Sequence, residues 1–306
     1  MNTVLTSAPS AHIKLHNSKP SFPGILRGEI FKITRQWTTW IMLVLLLGVI
    51  VLPYIVELTA PNITDNLRHT PLNFFYNEME IALSVLRIFI GIFLLILTAR
   101  VIGLEYQLGT IRVLLARGVG RLQLLSAKLL AIVLVALTLF AGGILLDSIL
   151  TCAFVAIVTG NLNALNVLTS TFWSNTWLYV LAVLISMGVT ILLAAAVTIV
   201  GRSLSFGLSA SLGWFTADTL GSFIFLTLAF RITHSDFWLN ISAYLLGPNL
   251  NAMPTVLIPA QFKANSLGIP PLVPVDGTHT LLVTLGYAII FAVTAVVLTW
   301  RRDVKE

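Results

Sequence analysis

RVIGLEYQLGTIRVLLARGVGRLQLLSAK, residues 100–128, is the one sizeable polar block set between two long apolar runs. It holds Arg100, Arg112, Arg117, Arg121 and Lys128 against a single acid, Glu105. Arginine and lysine gather on the cytoplasmic side of membrane proteins, so such a block between two spanning helices predicts an inward-facing loop. Leu108, Ile111, Leu115 and Val119 recur at helical spacing, and Arg112 and Arg117 fall off that face. This pattern predicts a short amphipathic helix lying across the inner surface. Gly109 interrupts it near its start, and Gly118 and Gly120 loosen its end. By charge alone the block fixes only orientation; its residue order says more, once the rest of the chain is in view.

The flanking runs set the class. Of 306 residues, 57% are hydrophobic and 10% charged, far from the roughly 25% charged content of soluble domains. The composition predicts an all-α integral membrane protein. A net charge of +6 raises the question of nucleic acid, but the basic residues sit in short blocks beside apolar runs and lie along no single exposed face, so they are read as orientation. Cys152 is the only cysteine and falls in an apolar run, which excludes an internal disulfide and a cysteine-based metal cluster and suggests a packing role.

Six crossings are predicted, at about 37–56, 81–102, 124–158, 177–200, 204–230 and 279–300, since about 20 apolar residues span a core of roughly 30 Å. Residues 1–21 read as a disordered cytoplasmic tail, followed by one membrane domain over 22–306. Leu26, Ile30, Ile33 and Trp37 share one helical face, which predicts an interfacial helix leading into the first crossing. Pro53 is expected to bend that crossing. The third run exceeds one crossing and is expected to tilt, or to break at Ala141-Gly142-Gly143. Six of the twelve prolines fall in 231–278, a density foreign to a spanning helix. With the stripe of Phe237, Trp238, Ile241, Tyr244 and Leu245, this predicts a short outer re-entrant or interfacial helix.

The charge distribution orients the scheme. Lys14, Lys19, Arg27, Lys32 and Arg35, the five cations of the central block, Arg202, Arg301, Arg302 and Lys305 fall inside, against Arg68, Arg231 and Lys263 outside. Both termini are therefore expected in the cytoplasm. Three ionisable residues lie within crossings, where their cost marks them as functional candidates. Arg87 and Asp147 both fall in outer halves, and an intramembrane pair between them is expected, for packing or for function. Asp218, in the middle of the fifth crossing, either lines a pathway or bonds to nearby Ser and Thr.

No His-Glu-x-x-His, Gly-x-Ser-x-Gly or Gly-x-x-x-x-Gly-Lys-Ser/Thr pattern occurs, so a metalloprotease, a serine hydrolase and an ATP-binding loop are not encoded. The central block, however, carries an acid (Glu105), a Gly-Thr pair (Gly109, Thr110), a leucine half-turn (Leu114, Leu115), a corner from Arg117 to Arg121 and Lys128 in Ser126-Ala127-Lys128. In this order they resemble the signature of ABC type-2 exporter permeases. In that family the corner commonly holds proline and serine where this chain has Gly118 and Gly120, so a looser turn is expected.

The resemblance implies a permease subunit, as homo- or heterodimer, that moves an amphipathic or lipid-like substrate. It binds a separate ATP-binding subunit, which carries ATP and Mg, so no cofactor is expected on this chain. Plasma-membrane location follows, with membrane lipid as a partner and nucleic acid not expected. The resemblance also implies that 105–121 is a coupling helix region, with Glu105, Gly109, Thr110, Arg112, Leu115, Arg117 and Arg121 meeting the ATPase, and that the second and fifth crossings line the pathway. Glu105 and Gly109, an acid and a helix-weakening glycine, are read as the end that a partner contacts closely. A secondary transporter or channel without an ATPase, coupled through the intramembrane charges, is the alternative from another class.

Overall fold

In a computed structural model that describes residues 21–59, 63–258 and 267–301, every regular element among the described residues is helical. Six helices are long and apolar enough to cross a membrane. The chain is an all-α, multi-pass integral membrane protein. In chain order the helices are α1 Phe22–Thr34, α2 Trp37–Glu57, α3 Ile63–His69, α4 Pro71–Gln107, α5 Thr110–Ala116, α6 Arg121–Thr159, α7 Ser170–Gly201, α8 Leu204–Thr216, α9 Ser222–Thr233, α10 Phe237–Ile241, α11 Leu246–Leu257 and α12 Gly277–Arg301. The crossings are α2, α4, α6, α7, the rod Leu204–Thr233 built from α8 and α9, and α12. Of the predicted tail over 1–21, residues 1–20 lie outside the described residues, as do Lys263, Arg302 and Lys305.

The second and fourth crossings are the core: in their most apolar stretches 67% of residues are buried, against 6% in the fifth. Leu86, Ile90, Phe93 and Leu94 of α4 pack with Val183, Met187 and Ile191 of α7. The other crossings surround this pair, with their outward faces left to lipid. Helix α1 starts under a Ser21 cap that accepts from the Gly24 amide at 3.3 Å. It packs Leu26, Ile30 and Ile33 onto the core. Trp37 is 78% exposed and does not share that face; it opens α2 instead.

Several expected boundaries move. The second crossing starts at Pro71, ten residues before the predicted 81, because Pro71 sits at a helix N-terminus, where no amide partner is lost. Phe74, Phe75 and Tyr76 then bury against Tyr54, Phe154 and Phe172, an outer core that the polar residues Glu78 and Glu80 obscured in the sequence. The fourth crossing likewise begins earlier, at Ser170. Helix α6 runs unbroken through Ala141-Gly142-Gly143. Gly143 serves a close approach: an added Cβ would lie 2.6 Å from Leu86 Cδ2 of α4.

The proline-rich segment, expected outside, folds back into the bundle. Helices α10 and α11 are joined by a 3₁₀ turn, Ser242–Tyr244, and α11 buries Leu246, Asn249, Asn251 and Met253. Pro248 falls in the first turn of α11, where amides have no intrahelical acceptor, and only Pro254 lies deeper. Asn249 Nδ2 donates to the carbonyls of Ala243 (2.6 Å) and Leu245 (2.7 Å), satisfying backbone that a buried irregular segment would otherwise leave open.

Candidate functional site

The 100–128 block forms the end of the bundle where α1, α4, α5 and α6 meet. Helix α4 stops at Gln107, and Gly109 turns the chain with φ 68°, a left-handed conformation that side chains disfavour, into the two-turn α5. Ile111, Leu114 and Leu115 are half-buried and Val119 is buried. This gives the expected apolar face without Leu108, which is 70% exposed. Thr110, Arg112 and Arg117 face outward. Arg121 opens α6 and donates through Nη1 to the Trp300 carbonyl at 3.2 Å, tying α6 to the end of α12.

Beneath α5 the structure brings together two residues of the sequence signature that lie far apart in the chain. Lys128 Nζ sits 2.7 Å from Glu105 Oε1 and 2.9 Å from Glu29 Oε2, and also donates to the Val101 carbonyl at 3.1 Å. Lys32 Nζ completes the ring, 2.7 Å from Glu105 Oε1 and 2.5 Å from Glu29 Oε1. Glu29, Glu105 and Lys128 are buried. Two carboxylates and two ammonium groups thus balance in a site that is buried at Glu29, Glu105 and Lys128, half exposed at Lys32, and clamps α1, α4 and α6 together. Burial alone would lower the Lys32 pKa, but its hydrogen bonds to Glu105 and Glu29 outweigh this and hold it above its ordinary value.

Glu105 therefore faces inward to the ion-pair ring, and Gly109 meets a backbone requirement of the chain itself, with nothing near the place of a Cβ. Both residues have reasons within the molecule. Glu29 escaped the sequence reading, although its position three residues before Lys32 on a helix was a usable signal.

Beside the ring, α1, the end of α4 and α5 enclose a groove of about 680 Å³. Lys32, Arg35, Arg100 and Arg117 line it, with Phe31, Leu104 and Val113 among its apolar residues.

The intramembrane residues are placed differently from expectation. Arg87 and Asp147 form no pair, because they project from α4 and α6 toward different neighbours. Arg87 is buried, and its Nη1 donates to Asn251 Oδ1 (2.8 Å) and the Leu250 carbonyl (3.1 Å), its Nη2 to the Leu267 carbonyl (2.8 Å). The guanidinium pins α11 to the second crossing. Asp147 accepts from Tyr54 OH at 2.7 Å, and the same hydroxyl lies 2.8 Å from Thr151 Oγ1. Tyr54, Asn249 and Asn251 were not singled out by the sequence, since a neutral polar residue in an apolar run carries no depth or partner signal.

Asp218 lies in a π turn, Ala217–Gly221, inside the fifth crossing. Its carboxylate accepts from the Gly247 amide at the start of α11; the expected bonds from Ser and Thr to that carboxylate are replaced by this contact. Arg87 and Asp218 line one cavity of about 40 Å³, together with Ser186, Thr190 and Trp214. Among the described residues no group of three His, Cys, Asp or Glu side chains is gathered as metal ligands. Comparisons with family models, with curated proteins and with solved structures give no match.

Proposed function

We propose that this chain is the membrane-spanning permease subunit of an ATP-driven exporter similar to ABC type-2 permeases, with ATP hydrolysis on a separate cytoplasmic subunit. The observation that carries this reading is α5 and its base. A two-turn helix joins the second and third crossings and stands over an ion-pair ring that ties α1, α4 and α6. A push on α5 by a nucleotide-driven partner would reach α1 and the two crossings α4 and α6 through that ring. Arg112 is exposed outside the groove and is available to a partner. The basic end then faces the cytoplasm with both termini, by the bias of Lys and Arg to that side. The membrane is the plasma membrane, and a second permease copy or a related chain completes the pathway, which moves an amphipathic substrate.

The test is co-purification of the chain with candidate ATPase subunits encoded beside it, followed by substrate-stimulated ATP hydrolysis. Arg112→Glu and Leu115→Asp should insert normally yet lose most of both signals. Full binding and stimulation by both variants would leave α5 as an orienting loop only.

One observation favours a second reading, a secondary transporter without an ATPase. Arg87 and Asp218 share a small cavity in the bundle, and Asp218 sits on a π turn, a distortion common at functional sites. Uptake or efflux in vesicles driven by an ion gradient without nucleotide, and abolished by Asp218→Asn, would select it.

A further inference from the structure

The groove between α1, the end of α4 and α5 has a charge pattern that the ion-pair ring does not use. Six ionisable residues line it: Glu29, Lys32, Arg35, Arg100, Glu105 and Arg117. The two carboxylates are held by Lys32 and Lys128. Arg35, Arg100 and Arg117 remain, and none of them has a carboxylate partner among the described residues. Arg100 is half-buried and lines the groove from the end of α4. Arg35 lies 4.9 Å over the Phe31 ring at the mouth of the groove.

We propose that the groove holds one anionic phospholipid from the leaflet at the basic end, with its phosphate among Arg35, Arg100 and Arg117. Its acyl chains run along Phe31, Leu108 and Val113. Three arguments select this ligand. First, the volume of about 680 Å³ suits a bound small molecule and far exceeds the needs of a bare anion. Second, Phe31, Leu108 and Val113 are 57%, 70% and 54% exposed, an apolar strip that a soluble anion would leave wet and an acyl chain covers. Third, Trp37 and Trp40, just after the groove residue Gln36, are exposed, and Trp300 is exposed at the neighbouring end of α12. Tryptophan concentrates at headgroup depth, so the groove stands at the level of lipid phosphates. Basic pockets between helices at this depth are a recurrent form of headgroup site. An acid beside anionic lipid would argue against such a site, but Glu105 is already neutralised within the ring. The inference does not depend on an ATPase partner.

The experiment uses the full chain, purified in detergent and stripped of lipid, then given dioleoyl phosphatidylglycerol or dioleoyl phosphatidylcholine, with bound lipid counted by native mass spectrometry. Phosphatidylglycerol should be retained and phosphatidylcholine lost. Arg100→Gln or Arg117→Gln should weaken retention about fivefold each, and the double variant about 30-fold. Arg27→Gln, on the same α1 but outside the groove, should change nothing. Arg117 is exposed at the end of α5, so Arg117→Gln keeps the test decisive if Arg100→Gln misfolds. Equal retention of the two lipids, wild-type retention by Arg117→Gln, or an equal loss in Arg27→Gln would each overturn the proposal. So would a chain that holds no phosphatidylglycerol while an added ATPase subunit shields a cysteine at position 117, which would give the groove to a protein.

Discussion

Lys128 meets two carboxylates and a backbone carbonyl at the basic end. It is buried, and its ammonium faces both Glu29 and Glu105. Lys128→Met leaves two buried carboxylates with one lysine between them, a loss on the order of 3–5 kcal/mol. Adding Glu105→Leu restores the charge balance, so the double variant should be more stable than Lys128→Met alone, and unfolding in detergent measures the difference. Additive losses would show that the ring is not an energetic unit. Lys32 gives a pH signature of known sign. Its pKa is raised in the folded chain, so its contribution is complete below the ordinary lysine value and disappears only as pH climbs through the raised one. The gap in melting temperature between wild type and Lys32→Met should therefore stay constant from neutral pH upward and close only in strongly alkaline solution. Of these residues the sequence singled out Glu105 and Lys128, yet it could not show that they touch. It also set Arg87 beside Asp147, because position along a helix gives depth, while the direction of a side chain around the axis depends on packing that only the fold supplies.

At the scale of elements, the apolar runs were legible because each crossing needs about 20 apolar residues, and no soluble element imitates that length. Their ends were less so. Helix α4 continues past its apolar stretch because aromatic residues on one side still find partners, and hydropathy averages them with Glu78 and Glu80. The excess length of the third run and its glycine pair made Gly142-Gly143 look like a weak point in α6. The two glycines can be separated by experiment. A Cβ at position 142 meets nothing within 4 Å, whereas one at 143 meets the Leu86 side chain. Gly142→Ala should be neutral or stabilise by up to about 1 kcal/mol through helix propensity. Gly143→Ala should destabilise by about 1–3 kcal/mol, as overpacking does, unless Leu86 changes rotamer. Thermal denaturation of both variants in one detergent checks this; equal effects would mean that α4 and α6 do not meet at Leu86.

For the whole molecule, an even number of crossings places α1 and the end of α12 on one side, and the Trp300 carbonyl bound by Arg121 places the start of α6 there as well. The π turn and the folded-back α11 lie away from this end and bring Arg87 and Asp218, about 130 residues apart in the sequence, to one cavity. What the fold leaves free is the sign of the whole: which end meets the cytoplasm. The cations favour the cytoplasm for the basic end, which holds Arg27, Lys32, Arg35, Arg112, Arg117 and Arg202, since positive loops resist translocation. Ser235, between α9 and α10, belongs to the opposite end, with α3 and its Arg68. Single cysteines at Ser235 and at Arg27, each in a Cys152→Ala background, report the two ends. Cys152 is exposed on the half of α6 away from the basic end and does not pack in the core, so its removal should be silent in stability and it must be absent for clean labelling. In intact cells an impermeant maleimide should modify the cysteine at 235 and spare the one at 27, which reacts only after the membrane is opened. Labelling of 27 and protection of 235 would invert the molecule and place α5 and its groove out of reach of any cytoplasmic ATPase.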